Sequence, residues 1–145
     1  MNFYKRKLPH WQPDYAEFFV TFRLANSLPK MAIKRIQAEN EIKEAKMSDK
    51  LSDLHKRRKL LFYKYEKLLD KADTGPSWLS KDSVAQIICE ALHHRDRNIY
   101  ELYAYCVMSN HVHVVFKMLK KNTPKTPAVT KMLQNFKSFT ALKAN

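Results

Sequence analysis

Between Met108 and Phe116 the side chains alternate in kind: Val112, Val114 and Phe116 fall at one parity, His111 and His113 at the other. A strand sends successive side chains to opposite faces, so this segment must lie in a sheet with a dry side for the apolar three and a chemical side for two imidazoles. At about 3.3 Å of rise per residue the two rings start roughly 6 to 7 Å apart at Cβ, a spacing that lets both reach one metal ion. The competing reading is a pair of surface histidines on an edge strand.

The chain around this strand has 145 residues, 45% of them hydrophobic and 12% aromatic, the size of one domain with enough apolar material for a core. A net charge of +13 favours a polyanionic partner, nucleic acid before a membrane surface. No apolar run reaches the roughly 18 residues that a membrane span needs. The start, Met1 to Pro9, is basic but has neither the apolar stretch nor the small-residue cleavage site of a signal peptide, so a cytoplasmic location is expected. Cys89 and Cys106 each lie in an apolar segment and read as reduced packing residues rather than a bridge or zinc ligands.

Charge is unevenly placed. From Leu102 to Asn145 there is no aspartate or glutamate, while Lys117, Lys120, Lys121, Lys125, Lys131, Lys137 and Lys143 all fall there. The histidine strand therefore opens a positive region that would attract phosphates over about a Debye length. A solvated lysine face is the other reading, but such a face normally carries interspersed acids.

Tyr15 to Leu24 alternates Phe18, Val20, Phe22 and Leu24 against Glu17, Phe19, Thr21 and Arg23, which predicts a strand behind a Pro-flanked aromatic leader. From Lys30 to Asp73 there is no Gly or Pro, and Met47, Leu51, Leu54, Arg58, Leu61, Tyr65 and Leu68 keep a 4,3,4,3 spacing. That is an amphipathic helical arm, divisible at Ser48 and Asp49, whose core a partner could supply. Gly75, the only glycine, marks its boundary. A helix is expected over 81–95, with Ser80 as N-cap, Asp82 in the first turn and Val84, Ile87, Ile88, Ala91 and Leu92 in one stripe. Ile99 to Val107 should pair with the histidine strand as a hairpin. A last helix should start at Thr126 and Pro127, with Val129, Met132, Leu133, Phe136 and Thr140 on one face.

Without the arm, this order gives the first five elements of a β-α-β-β-α-β unit. The expected class is α+β: a ferredoxin-like antiparallel sheet with helices on one face, incomplete at the C-terminus, with an inserted helical arm. A single domain would span 1–145, as a leader (1–14), an arm (about 30–73) and a metal-bearing core (about 75–145).

The blocks Leu8-Pro9-His10-Trp11-Gln12, Phe18-Phe19-Val20-Thr21-Phe22-Arg23-Leu24, Gly75-Pro76-Ser77-Trp78-Leu79, Ala104-Tyr105-Cys106-Val107-Met108-Ser109-Asn110-His111-Val112-His113 and Lys137-Ser138-Phe139-Thr140-Ala141 resemble the REP-associated tyrosine transposases. The resemblance covers nearly the whole chain. The His-hydrophobic-His triplet alone is a weak signature, whereas these blocks in this order are specific. The resemblance implies a member of the HUH superfamily of single-strand DNA endonucleases. In such enzymes Mg²⁺ or Mn²⁺ sits on the histidine pair and polarises a scissile phosphate, while a tyrosine hydroxyl attacks and leaves a 5′-phosphotyrosine link. It implies His111 and His113 as metal ligands and single-stranded or hairpin DNA as partner. The positive region supplies the expected DNA contacts, Lys117, Lys120, Lys121, Lys131 and Lys137.

Phosphoryl transfer needs charge neutralisation at the non-bridging oxygens and in-line positioning, which a metal with open coordination sites supplies. A hard cation also wants an oxygen ligand, and Glu101, Glu17, Gln134 or a residue beyond the chain stay open for that place. The family nucleophile lies on a helix downstream of the histidines, but the last tyrosine here is Tyr105. The resemblance thus implies a nucleophile beyond Asn145 and a chain that is inactive alone. Tyr63, Tyr65, Tyr103 and Tyr105 read as packing or surface residues, and His93-His94 as a helix-end pair. Three functions stay open: a transposase that nicks and rejoins single strands at palindromic repeat hairpins, a truncated non-catalytic hairpin-binding module, or an interaction element that pairs into a homodimer through the arm.

Overall fold

A computed structural model describes residues 2–5, 9–12, 16–44, 51–119 and 128–144. In chain order the elements are β1 (Asn2–Lys5), β2 (Pro9–Gln12), β3 (Glu17–Arg23), α1 (Lys30–Glu44), α2 (Leu51–Lys71), α3 (Asp82–Arg95), β4 (Tyr100–Val107), β5 (His111–Met118) and α4 (Ala128–Ala144), with a short 3₁₀ turn at Trp78–Ser80. The chain divides into two compact units: one of residues 1–22, 79–108 and 112–145, the other of residues 23–78 and 109–111.

In the first unit, the alternating segment becomes β5, the central strand of an antiparallel sheet ordered β3-β5-β4. Val112, Val114 and Phe116 are buried at 0%, 3% and 1% exposure, because one parity of a sheet covered on one side has to enter the core. Phe18 stacks on Phe116 at 5.8 Å between ring centroids, Tyr100 lies 5.2 Å from Phe116, and Phe22 meets Phe136 of α4 edge-on at 5.2 Å. Ile88, Ala91 and Leu92 of α3 and Val129, Met132 and Phe136 of α4 are buried as well. Arg95 caps this layer, with its guanidinium 5.4 Å from the Phe136 ring and 5.1 Å from Phe139, a cation–π arrangement. The result is the α+β architecture expected, a three-stranded sheet with the strand order of an incomplete ferredoxin-like unit.

The hairpin joining β4 to β5 pairs Val107 with Val112, Cys106 with His113 and Leu102 with Phe116, but its register slips between Leu102 and Ala104. Tyr103 is the extra residue of that bulge, which reverses the parity of β4 beyond it. Leu102 therefore sits across from core Phe116, while Cys106 sits across from His113 and is exposed. This corrects the expectation that Cys106 is a packing residue; both cysteines are free thiols.

Tyr100 is 1% exposed and donates its hydroxyl to the Leu92 carbonyl at 2.8 Å. Burial pushes its pKa up to about 12, with the Asp96 carboxylate adding to the rise and Arg95 opposing it. A phenol with a raised folded-state pKa contributes stability that is complete below its unfolded value near 10 and is lost as pH climbs from there to about 12. That shift corresponds to about 2 to 3 kcal/mol. Urea midpoints should fall over this interval in the wild type and much less in Tyr100→Phe; equal falls would exclude the phenol as the cause.

Two further details differ from expectation. Ser80 is taken into the 3₁₀ turn, so α3 starts at Asp82 with Lys81 at the N-cap and no side-chain cap hydrogen bond. The leader holds a paired β1 and β2, Phe3 opposite Trp11. Residues 45–50, with Ser48 and Asp49, and residues 120–127, with Lys120, Lys121, Lys125, Thr126 and Pro127, lie outside the described residues.

In the second unit, the arm is two helices. Ile36 of α1 and Leu69 of α2 are buried, and Glu39 of α1 accepts from Lys64 of α2 at 2.5 Å and from Arg35 at 3.2 Å. Those hydrogen bonds, Lys64 first and then Arg35, hold the Glu39 carboxyl below its ordinary pKa. Helix α2 ends where Ala72 turns to φ 49° and donates its N–H to the Leu69 carbonyl at 3.0 Å. Among the described residues no helix is long and apolar enough to cross a membrane.

Candidate metal centre

The chemistry of the histidine strand is set by the residue before it. Asn110 is 1% exposed; its backbone carbonyl accepts from the Leu24 N–H at 2.9 Å, its Nδ2 donates to the Leu69 carbonyl at 3.1 Å, and its Oδ1 lies 2.6 Å from His111 Nδ1. A carbonyl only accepts, so the amide nitrogen must face Leu69, which leaves Oδ1 as an acceptor against the imidazole. Nδ1 of His111 therefore carries the proton, and the lone pair of the neutral ring sits on Nε2.

Nε2 faces carboxylates from α2. Asp70 Oδ1 is 3.8 Å away, and Glu66, one helical turn earlier, brings a carboxylate oxygen within 4.8 Å of the His111 ligand atom. A lone pair on a ring only 1% exposed, with the Asp70 carboxylate beside it, is a place where a proton or a metal cation is favoured. His113 is two residues further along β5 and leaves from the same strand face; its ligand atom lies within the same 4.8 Å of that of His111. Thr21 Oγ1 is 2.9 Å from His113 Nδ1; a hydroxyl can accept as well as donate, and where Nδ1 donates to it Nε2 holds the lone pair that a metal takes. Phe19 stacks on His113, the ring centroids 5.5 Å apart and the planes 17° from parallel.

Within the second unit half-buried Glu66 and buried His111 come together, and half-buried His113 follows His111 by two residues on β5. Ligands about 2.1 Å from one ion stand at most about 4.2 Å apart, against the 4.8 Å within which these candidate ligand atoms lie. Two imidazoles and one carboxylate suit first-row divalent ions.

The third ligand was the residue missed. Of the three candidates in the chain, Glu17 and Glu101 lie on the sheet near Tyr103, and Gln134 is an exposed residue of α4. A trace of Glu66 exists in the sequence: the lower half of α2 is strongly basic, yet Glu66 and Asp70 stand four residues apart near its C-terminal end, where the helix dipole disfavours negative charge. The lysines separate. Lys117 follows His113 by an even step on β5 and shares its face, whereas Lys131 and Lys137 are exposed on α4, whose Phe136 packs on the opposite side of the sheet. Tyr105 is turned toward α3, its hydroxyl 3.1 Å from His93 Nε2; a hydrogen bond with Cys89, then partial burial, raises its pKa.

No family model, curated protein or solved structure matches this chain.

Asn110→Ala removes the acceptor that fixes the His111 tautomer, and losing such an outer-shell partner typically lowers metal affinity by about 10- to 100-fold. Asn110→Asp keeps an acceptor for Nδ1–H and should retain more of the affinity. Mn²⁺ titration calorimetry on the two variants checks this; an Asn110→Ala protein that is folded and binds as tightly as wild type would show that the tautomer is set elsewhere.

Proposed function

We propose that this chain is a metal-dependent DNA-processing protein of the HUH tyrosine-transposase type, acting on single-stranded DNA beside hairpins formed by palindromic repeats, with Mg²⁺ or Mn²⁺ as its cation. One observation carries the reading: two imidazoles share a face of a central strand, each with Nδ1 engaged by a neighbouring oxygen, and a carboxylate stands beside the first. A cation held there supplies charge neutralisation at the non-bridging oxygens of a phosphodiester. His111, His113 and Glu66 hold it, Asn110 and Thr21 orient the rings, and Asp70 adds negative potential beside Nε2.

The net charge of +13 supports a polyanionic partner and predicts strongly salt-dependent association. In this reading Lys117, Lys120 and Lys121 contact DNA, while Lys131 and Lys137, on the helical layer, draw DNA in over a longer range. We assign the attacking hydroxyl to no residue of this chain. A cytoplasmic location and pairing of two copies through the arm belong to the same proposal.

The test uses a DNA hairpin with single-stranded flanks and a blunt duplex of the same sequence, each with Mn²⁺ or with EDTA, resolved on native and denaturing gels. Because the chain supplies no attacking hydroxyl, Mn²⁺-dependent binding of the hairpin and its flank, tighter than that of the duplex and without scission, is the expected result. Scission by this chain alone would overturn the placing of the nucleophile outside it, and no affinity for the hairpin would overturn the proposal.

A further inference from the structure

Helices α3 and α4 pack on the face of Val112, Val114 and Phe116, so the other face of the first unit's sheet carries a different set of side chains. Phe19 and Thr21 reach it from β3, as their contacts with His113 require; Cys106 reaches it from β4, and Val115 and Lys117 by alternation along β5. Phe19 is 54% exposed and Tyr103 44%. Tyr103, the bulge residue of β4, stands close enough to Glu17 of β3 for that carboxylate to raise its pKa, although β5 lies between those two strands. Two accessible aromatic rings result: one lies nearly parallel to a candidate ligand imidazole, and the other is set out from the ladder by the bulge.

The charges on this face are graded. Desolvation first, then the Glu101 and Glu17 carboxylates, raise the Tyr103 pKa; with Lys117 opposite Glu101 in the register, two acids stand against one lysine and the Tyr103 end is net negative. A phosphate is repelled there and drawn toward the cation at the His113 end. The outer aromatic surface between those ends suits the uncharged part of a nucleotide. Nucleobases stack on aromatic rings with little regard to sequence, and single strands are usually recognised by such open sheet faces.

We infer that Phe19 and Tyr103 form a stacking platform for unpaired bases of single-stranded DNA, with the backbone phosphate lying toward His113 and the bases toward Tyr103. This rests on the reading above for the nature of the strand, and it adds where the bases go. A duplex, whose bases are already stacked, gains nothing from the platform, which therefore selects single strands.

The experiment measures binding of the full chain to a single-stranded oligonucleotide carrying 2-aminopurine and to an abasic strand of equal length, both with Mn²⁺. Stacking one base is worth a factor of about 5 to 150 in affinity. Phe19→Ala and Tyr103→Ala should each lose that factor for the base-bearing strand, restore 2-aminopurine fluorescence, and bind the abasic strand like wild type. Phe19→Trp should retain the affinity. Because Phe19 also touches His113, Mn²⁺ affinity is measured in each variant, and it should be unchanged in Tyr103→Ala. Variants that bind the base-bearing strand as wild type does, or that lose the abasic strand to the same degree, would overturn the platform. Base-dependent binding through Phe19 in a protein with no preference for the hairpin would instead remove the reading above and leave the platform standing.

Discussion

His111→Ala combined with His113→Ala should abolish measurable Mn²⁺ binding. Loss of a single outer-shell partner costs about 10- to 100-fold in affinity, and this variant removes two of the three candidate ligands themselves, leaving half-buried Glu66 and exposed Asp70. Folding needs its own control, because His111 is 1% exposed and its removal orphans Asn110 Oδ1, at about 1 to 3 kcal/mol for an unsatisfied buried acceptor. His113→Ala alone avoids that penalty, since His113 is half-buried and its partner Thr21 is a hydroxyl that can rotate to other partners, water included. The single variant should therefore lose most of the metal affinity with little loss of stability. In the wild type, binding should weaken on acidification, because imidazoles coordinate only when neutral and metal competes with protons for Nε2. Titration calorimetry with circular dichroism on the same samples decides the matter: a folded double variant that binds Mn²⁺ like wild type would remove the metal role of the strand.

Much of the sheet could be read from parity. Val112, Val114 and Phe116 against His111 and His113 fixed which face of β5 was dry, and Phe18 and Phe22 did the same for β3; both sets enter the core. Parity failed in β4 because the bulge at Tyr103 inserts a residue, and nothing in Tyr100 to Val107 marks where a bulge falls. Cys106 was misread for that reason alone. The metal group was half readable. The histidine pair is local, and strand geometry dictates it, but Glu66 comes from the arm, and helical periodicity assigns it only to a solvated face. Asn110 was visible as a turn residue; its grip on the His111 tautomer depends on where the Leu69 carbonyl stands, which is a tertiary fact. The lysines were grouped by their closeness in sequence, whereas a sheet covered by helices on one side places neighbours along the chain in different layers.

Gly75→Ala should destabilise the second unit by about 1 to 5 kcal/mol, from two independent terms. Gly75 sits at φ +81°, where an L-residue is strained by roughly 1 to 3 kcal/mol. A Cβ there would also meet Asn26 O at 2.1 Å, Asn26 C at 2.7 Å and Ser27 Cα at 2.9 Å. All three are backbone atoms with no rotamer to yield, and Ser27 is 1% exposed, so relief requires the 26–27 turn to shift, at about 1 to 3 kcal/mol for overpacking. The usual gain from replacing glycine, about 0.4 to 1 kcal/mol through the unfolded chain, is too small to compensate. The shift also has a functional route. Asn26 and Ser27 follow Leu24, whose N–H donates to the Asn110 carbonyl, and Asn110 holds the His111 tautomer; displacing that turn should loosen the ring and weaken Mn²⁺ binding along with stability. Thr74→Ala, at an exposed position in the same turn, should stay within about 0.5 kcal/mol of wild type. Urea denaturation of the three proteins with Mn²⁺ titration of each checks both halves: a Gly75→Ala midpoint matching that of Thr74→Ala would mean that the close approach to Asn26 is not rigid, and lost stability with unchanged metal affinity would break the proposed link through Leu24 and Asn110.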